Sequence, residues 1–171
     1  LGFVFRRLSI LDLSSHGHQP MSDNEKDHWL IFNGEIYNYI EIRSELESLG
    51  YKFRSGTDTE VIINSYKQWG EECFRKFNGM WGMILYDKKK KKLLCSRDRF
   101  GVKPLYYYYD EKNPEILILA SELKSIIKYL QTTGFRNFEI NQNAVYDYFI
   151  YSFVDHSSET FLNNLHNLDA S

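Results

Sequence analysis

Cysteine is scarce in this sequence: two in 171 residues, Cys73 and Cys95. Two thiols at unrelated spacing make neither a disulfide framework nor a zinc motif, and such a thiol pattern suits a reducing compartment, here the cytoplasm. No apolar run approaches the roughly 18 residues of a membrane span. Charge of either sign is nearly balanced, at a net −2, so no global basic field points to nucleic acid. No linker is long enough to divide the chain, no internal repeat is visible, and no secretory signal opens it. What is present is a core: hydrophobic residues make up 43% and aromatics 16%, which excludes a disordered tail. A chain of this length buries a proper core as one domain, residues 1–171.

Strand patterns dominate the middle. Phe3-Val4-Phe5 opens a strand ending near Arg7, and His28 to Phe32 is a second, rich in β-formers. Ile36, Ile40, Leu46 and Leu49 recur at near-helical spacing, with Gly50 as the stop. Thr57 or Asp58 can N-cap a helix through Trp69, ended by Gly70. Trp81 to Asp87 with Leu93 to Arg97 reads as one hairpin, and Tyr106 to Tyr109 with Ile116 to Leu119 as another. Ser121 is expected to cap a helix through Leu130, and Asn143 to Phe153 forms the last. Hairpins followed by helices predict an α+β fold, with helices packed on antiparallel sheet.

The segment Leu30-Ile-Phe-Asn33-Gly34-Glu35-Ile36-Tyr37-Asn38 carries the most chemistry. It reads as a strand that stops at Asn33-Gly34 and turns into a helix. Such a stop leaves a side-chain amide and a backbone N–H free at one rigid point, the two donors an oxyanion hole needs. Asn-Gly is also a common turn dipeptide, so an ordinary loop is the alternative.

Four more segments keep company with it: Arg6-Arg7-Leu8-Ser9-Ile10-Leu11-Asp12, Ser55-Gly56-Thr57-Asp58-Thr59-Glu60-Val61, Arg97-Asp98-Arg99-Phe100-Gly101-Val102-Lys103-Pro104-Leu105-Tyr106-Tyr107, and Ala120-Ser121-Glu122-Leu123-Lys124. In this order and spacing the five resemble the glutamine amidotransferase domain of asparagine synthetase, the class II, N-terminal-nucleophile type. The likeness runs from Gly2 to Leu168. It implies a four-layer αββα sandwich of the N-terminal-nucleophile-hydrolase kind. It implies Asn33 and Gly34 as the oxyanion hole, Arg7 on the α-carboxylate of glutamine, and Asp58 on its α-ammonium, with Glu35 close by. Arg6 does not align with the binding arginine. Asp58 has an alternative role as the N-cap, and Glu35 as a charge in the first turn of a helix.

The family's nucleophile is a cysteine at mature residue 1, whose own α-amine activates its thiol. Here residue 1 is Leu, where an initiator Met would also be expected, so the resemblance predicts a fragment truncated at its N-terminus and inactive as it stands. Neither Cys73, in a short amphipathic pattern, nor Cys95, in a strand, is expected to substitute, because both read as small core residues. Loss of a first strand would leave open sheet edges and predicts poor solubility or oligomers. The segment Glu159 to Ser171 resembles the lead-in to a C-terminal synthetase domain that binds ATP and Mg. No cofactor is implied for the amidotransferase domain itself.

The implied partners are glutamine and that synthetase domain, with a homodimer left open and neither nucleic acid nor membrane expected. Two alternatives stand beside the asparagine-forming reading: a non-catalytic glutamine-binding or interaction module, and an amidotransferase serving a sugar, peptidyl or β-lactam precursor acceptor. The remaining motifs read as structure. Asn78-Gly79-Met80-Trp81-Gly82 enters a buried strand, Gly101 and Pro104 fix a loop that could alternatively border an ammonia channel, and Lys88 to Lys92 form a solvated hairpin tip. His16 and His18 lack a third ligand at metal spacing, so no metal is expected.

Overall fold

The computed structural model describes residues 1–5, 17–110, 114–134, 138–154 and 156–170. Residues 1–5 form no strand there, against the expectation at Phe3 to Phe5, and Arg6, Arg7 and His16 lie outside the described residues. The chain builds two antiparallel sheets. The first comprises β1 (Met21–Ser22), β2 (His28–Ile36), β3 (Gly79–Asp87) and β4 (Lys92–Arg97), in that order. The second comprises β5 (Tyr106–Tyr109), β6 (Leu117–Ala120) and β7 (Leu165–Asn167), with β5 in the centre.

Helices α1 (Tyr39–Ser48) and α2 (Asp58–Trp69) cover the first sheet. Alternation along β2 and β3 puts Leu30, Phe32 and Ile36 with Trp81, Met83 and Leu85 on one face, all buried against Ile42, Leu46, Val61 and Ile62 of the helices. Helix α3 (Leu123–Thr132) covers the second sheet through Ile126 and Leu130, which pack with Tyr108 and Leu165. Each such apolar side chain contributes about 1.5–3 kcal/mol on burial. The sheets meet where Gly82 of β3 faces the approach to β5: a Cβ there would stand 2.9 Å from the Pro104 carbonyl oxygen. The result is the expected α+β sandwich of four layers, αββα.

Local signals placed most element ends. Thr57 caps α2 by accepting the Glu60 N–H at 3.3 Å, and Gly70 ends it. Gly50 follows α1 with its N–H on the Glu47 carbonyl at 3.0 Å. Three readings need correction. Ile40 and Leu49 are exposed, and Ile36 belongs to β2, so the supposed apolar stripe of α1 reduces to Ile42 and Leu46. The cap of α3 is Glu122 rather than Ser121, with no side-chain bond. The last helix, α4, spans Gln142–Tyr151 and is capped by Asn141, whose Oδ1 accepts from Asn143 and Ala144.

The loop after β4 is organised by Asp98, its first residue, and by Arg97, the last residue of β4. Asp98 is fully buried, and its carboxylate accepts the N–H groups of Trp81, Phe100, Val102 and Lys103 at 3.0–3.1 Å. Arg97 donates to the carbonyls of Gly101, Lys103 and Leu168, tying β4 to the far end of the chain. Burial works against the Asp98 charge, but those four N–H groups outweigh it and hold the carboxyl below the ordinary aspartate range.

Candidate active site

The strand does not stop at Asn33-Gly34, as its sequence suggested. It runs on to Ile36, with Asn33 opposite Gly82 and Gly34 opposite Trp81 on β3. The free donor survives for a different reason. Trp81 gives its N–H to the Asp98 carboxylate at 3.1 Å, and its carbonyl accepts the Asp98 N–H at 2.8 Å. Both of its backbone groups are thus spent on the β4 side. Gly34 and Trp81 therefore form a pair without mutual hydrogen bonds, and the N–H of Gly34 faces the opposite edge of β2.

The residues two positions away confirm this parity. Phe32 points its N–H to the same edge, where Gln19 Oε1 accepts it at 2.6 Å, and its carbonyl receives the Gln19 amide at 3.0 Å. Ile36 points its N–H there too, onto Asp58 Oδ2 at 3.1 Å. Between these two satisfied donors, the Gly34 N–H meets no partner among the described residues. Asn33, next to it on the other face of the strand, is half-buried, and its side-chain amide likewise bonds no described residue.

Only glycine fits at position 34. A Cβ would stand 2.1 Å from the Met80 carbonyl oxygen and 2.7 Å from the Trp81 Cα. Gly79 mirrors it, its missing Cβ lying 2.1 Å from the Glu35 carbonyl oxygen. Two glycines let the strands close to backbone contact just where the open donor lies. The Asn78-Gly79 pair echoes Asn33-Gly34 in the sequence and was the signal available for it.

Asp58 opens α2 beside this edge and is 5% exposed. The two sequence-based roles for it separate cleanly: Thr57 does the capping, leaving the Asp58 carboxylate turned to β2. Burial pushes its pKa above the ordinary aspartate value; hydrogen bonds, among them the one from Ile36, pull the other way, and the nearby Glu35 carboxylate adds to the rise. Glu35 sits within β2, not in a helical first turn. The Asp58 carboxylate is buried at energetic cost and feels the Glu35 charge as well, so a cation beside it would relieve it. Asn33, Gly34, Glu35 and Asp58 are thus brought together; Arg7 lies outside the described residues.

The thiols are not part of it. Cys73 is buried in the core under α2, its pKa pushed up by burial to about 12; Cys95 on β4 is half-buried rather than the expected core residue, its pKa pushed up by desolvation to about 11. A thiol that stays protonated at neutral pH is a poor nucleophile. His18 is exposed, and among the described residues no group of three His, Cys, Asp or Glu could hold a metal ion. No helix among them is long and apolar enough to cross a membrane.

Comparison with known proteins adds independent weight. A family model described as a glutamine amidotransferase domain matches residues 1–171. Asparagine synthetase [glutamine-hydrolyzing] 1 of Bacillus subtilis is 42% identical over 158 residues, covering 92% of this chain and 24% of its own length. A Methanocaldococcus jannaschii protein is 42% identical over 168 residues, covering 90% of this chain and 31% of its own. Asparagine synthetase B [glutamine-hydrolyzing] of Escherichia coli is 40% identical over 126 residues, covering 74% and 22%. The chain therefore spans less than a third of the length of these relatives. Among solved structures, a glutamine phosphoribosylpyrophosphate amidotransferase from B. subtilis, complexed with ADP and GMP, shares the fold, with TM-score 0.54 and 22% identity over 64% of this chain and 25% of that one.

Proposed function

This chain belongs to the glutamine amidotransferase domain family, and on that footing we propose that it is the glutaminase part of a glutamine-hydrolysing asparagine synthetase. Its task is to release ammonia from glutamine for ATP-dependent amidation of aspartate, in the cytoplasm. The observation that carries the proposal is the unpaired Gly34 N–H on the β2 edge, held between Asn33 and the buried carboxylate of Asp58.

When a thiolate attacks the side-chain amide of glutamine, negative charge grows on the amide oxygen. Gly34 N–H and Asn33 Nδ2 receive that charge, and losing one such donor costs about 2.7–4 kcal/mol in the transition state. Asp58, with Glu35 beside it, binds the α-ammonium, which relieves the buried carboxylate. Arg7 takes the α-carboxylate, for which its planar fork is suited. The attacking thiol must carry its own activating amine, and neither Cys73 nor Cys95 does. Glutaminase activity is accordingly expected only of a protein that presents such a thiol. ATP and Mg serve the synthetase domain proposed as partner.

The inert thiols favour a second reading for the 171 residues by themselves: a glutamine-binding module without catalysis. Calorimetric titration of the folded protein with glutamine, for wild type, Asn33→Ala and Asp58→Asn, tests both. Saturable binding lost in Asp58→Asn but kept in Asn33→Ala supports a pocket whose oxyanion donor acts only in the transition state. Wild-type protein that is folded and gives no binding counts against the pocket.

A further inference from the structure

Away from the β2 edge, a polar cavity of about 270 Å³ opens between the turn after β1, the segment following α1 and the flank of α2. Its charged lining consists of Asp23, Lys52, Arg54, Glu60 and Lys67, with Tyr51 and Asn64 among them. The acids are already spent. Asp23 accepts from the N–H groups of Asp27 and His28 and from the His28 ring, at 2.8–3.1 Å. Glu60 accepts from the N–H groups of Arg54 and Ser55 and from the Ser55 hydroxyl, at 2.7–3.1 Å.

The donors are not. Arg54 gives one bond, to the Ser22 carbonyl at 2.8 Å, and otherwise only approaches Glu60 at 3.7 Å. Lys52 pairs with no described residue. Asn64 is the informative one: it is 7% exposed, yet its amide bonds no described residue and its polar atoms are not sealed from the cavity. Its amide therefore stands open to whatever occupies the cavity, water or a ligand, with no partner among the described residues to displace.

We propose that this cavity is a binding site for a small oxyanion, the phosphate group of a phosphate monoester. A zwitterionic amino acid would find no open carboxylate for its ammonium. An anion meets the unspent donors of Lys52 and Arg54, two residues apart on the segment after α1, and of Asn64 on the flank of α2. The volume is several times a water's share of about 30 Å³, so it admits phosphate together with a small attached group. The site is independent of the glutamine reading and stands or falls without it.

The test is calorimetric titration of the purified protein with inorganic phosphate, glycerol 3-phosphate and succinate, at about 150 mM chloride to screen loose surface attraction. Saturable one-to-one binding of either phosphate probe, weakened about tenfold or more by Lys52→Glu and by Asn64→Asp, and unaffected by the control Lys76→Glu, is the expected result. Glycerol 3-phosphate binding more tightly than inorganic phosphate assigns the monoester as ligand; the reverse order overturns that part. Lys52 is exposed, so its variant will fold, and wild-type affinity retained in it overturns the proposal. So does the absence of saturation by both phosphate probes, or succinate binding as tightly as they do.

Discussion

Replacing Asp58 with asparagine isolates the cost of the buried carboxylate from its use. The Ile36 N–H now bonded at 3.1 Å keeps an acceptor in the asparagine Oδ1, so the link between β2 and α2 survives. Two losses are expected, the charge assistance of that bond and the favourable negative charge in the first turn of α2, about 0.3–1 kcal/mol each. Against them stands removal of a buried charge facing Glu35, and the raised pKa shows that burial prevails over the hydrogen bonds. The variant should therefore be as stable as wild type at neutral pH or more stable by up to about 1 kcal/mol, as is common where an active site carries strain. Because the folded pKa lies above the unfolded value of about 3.9, Asp58's contribution to stability is present below that value and lost as pH rises through the folded pKa. The variant's advantage should vanish in acid. Glutamine affinity should fall on the order of a hundredfold, the usual effect of uncharging one partner of a buried ion pair. Urea melts between pH 3 and 8, paired with glutamine calorimetry, measure both. A variant that loses more than about 1 kcal/mol at pH 7 while binding glutamine as before would reduce Asp58 to a structural helix-start residue and refute the reasoning.

Three further outcomes follow from the same geometry. Gly34→Ala drives a Cβ into β3 backbone that cannot rotate away, and should cost about 1–3 kcal/mol or more in a urea melt; a neutral result would mean the strands do not close as described. Asp98→Asn leaves some of four converging N–H groups unmatched and should cost about 2–4 kcal/mol. Its wild-type contribution has the opposite pH sign to Asp58: with a lowered folded pKa, it is present above the unfolded value and lost as pH falls through the folded one, so variant and wild-type melts should converge in strong acid. Finally, a thiol reagent at pH 8 should leave buried Cys73 unlabelled and label half-buried Cys95 slowly in the folded protein, and label both rapidly in urea; rapid labelling of either in the native state would reopen the search for a nucleophile.

The chain's local chemistry was legible in its sequence wherever neighbours in sequence are also partners in space. Thr57 and Gly70 bound α2 through contacts within a turn, and the Lys88–Lys92 tip joins β3 to β4 because a hairpin is closed by its own loop. The candidate residues Asn33, Gly34, Glu35 and Asp58 came from the motif order, and so did the family.

Why Gly34 offers a donor did not. The sequence suggested a strand that ends, and the structure shows one that continues with its hydrogen-bonding parity shifted outward. That parity depends on Trp81 spending both backbone groups on Asp98, 17 residues further along, and on Gly79 allowing the close approach. The short strands β1 and β7 were also invisible, being two and three residues long and held only by pairing with distant strands. Sequence by itself determined which groups are candidates for the chemistry, because side-chain type and capping are local properties. Tertiary structure alone decided which backbone groups stay unpaired, because ladder register and desolvation are set by residues far apart along the chain.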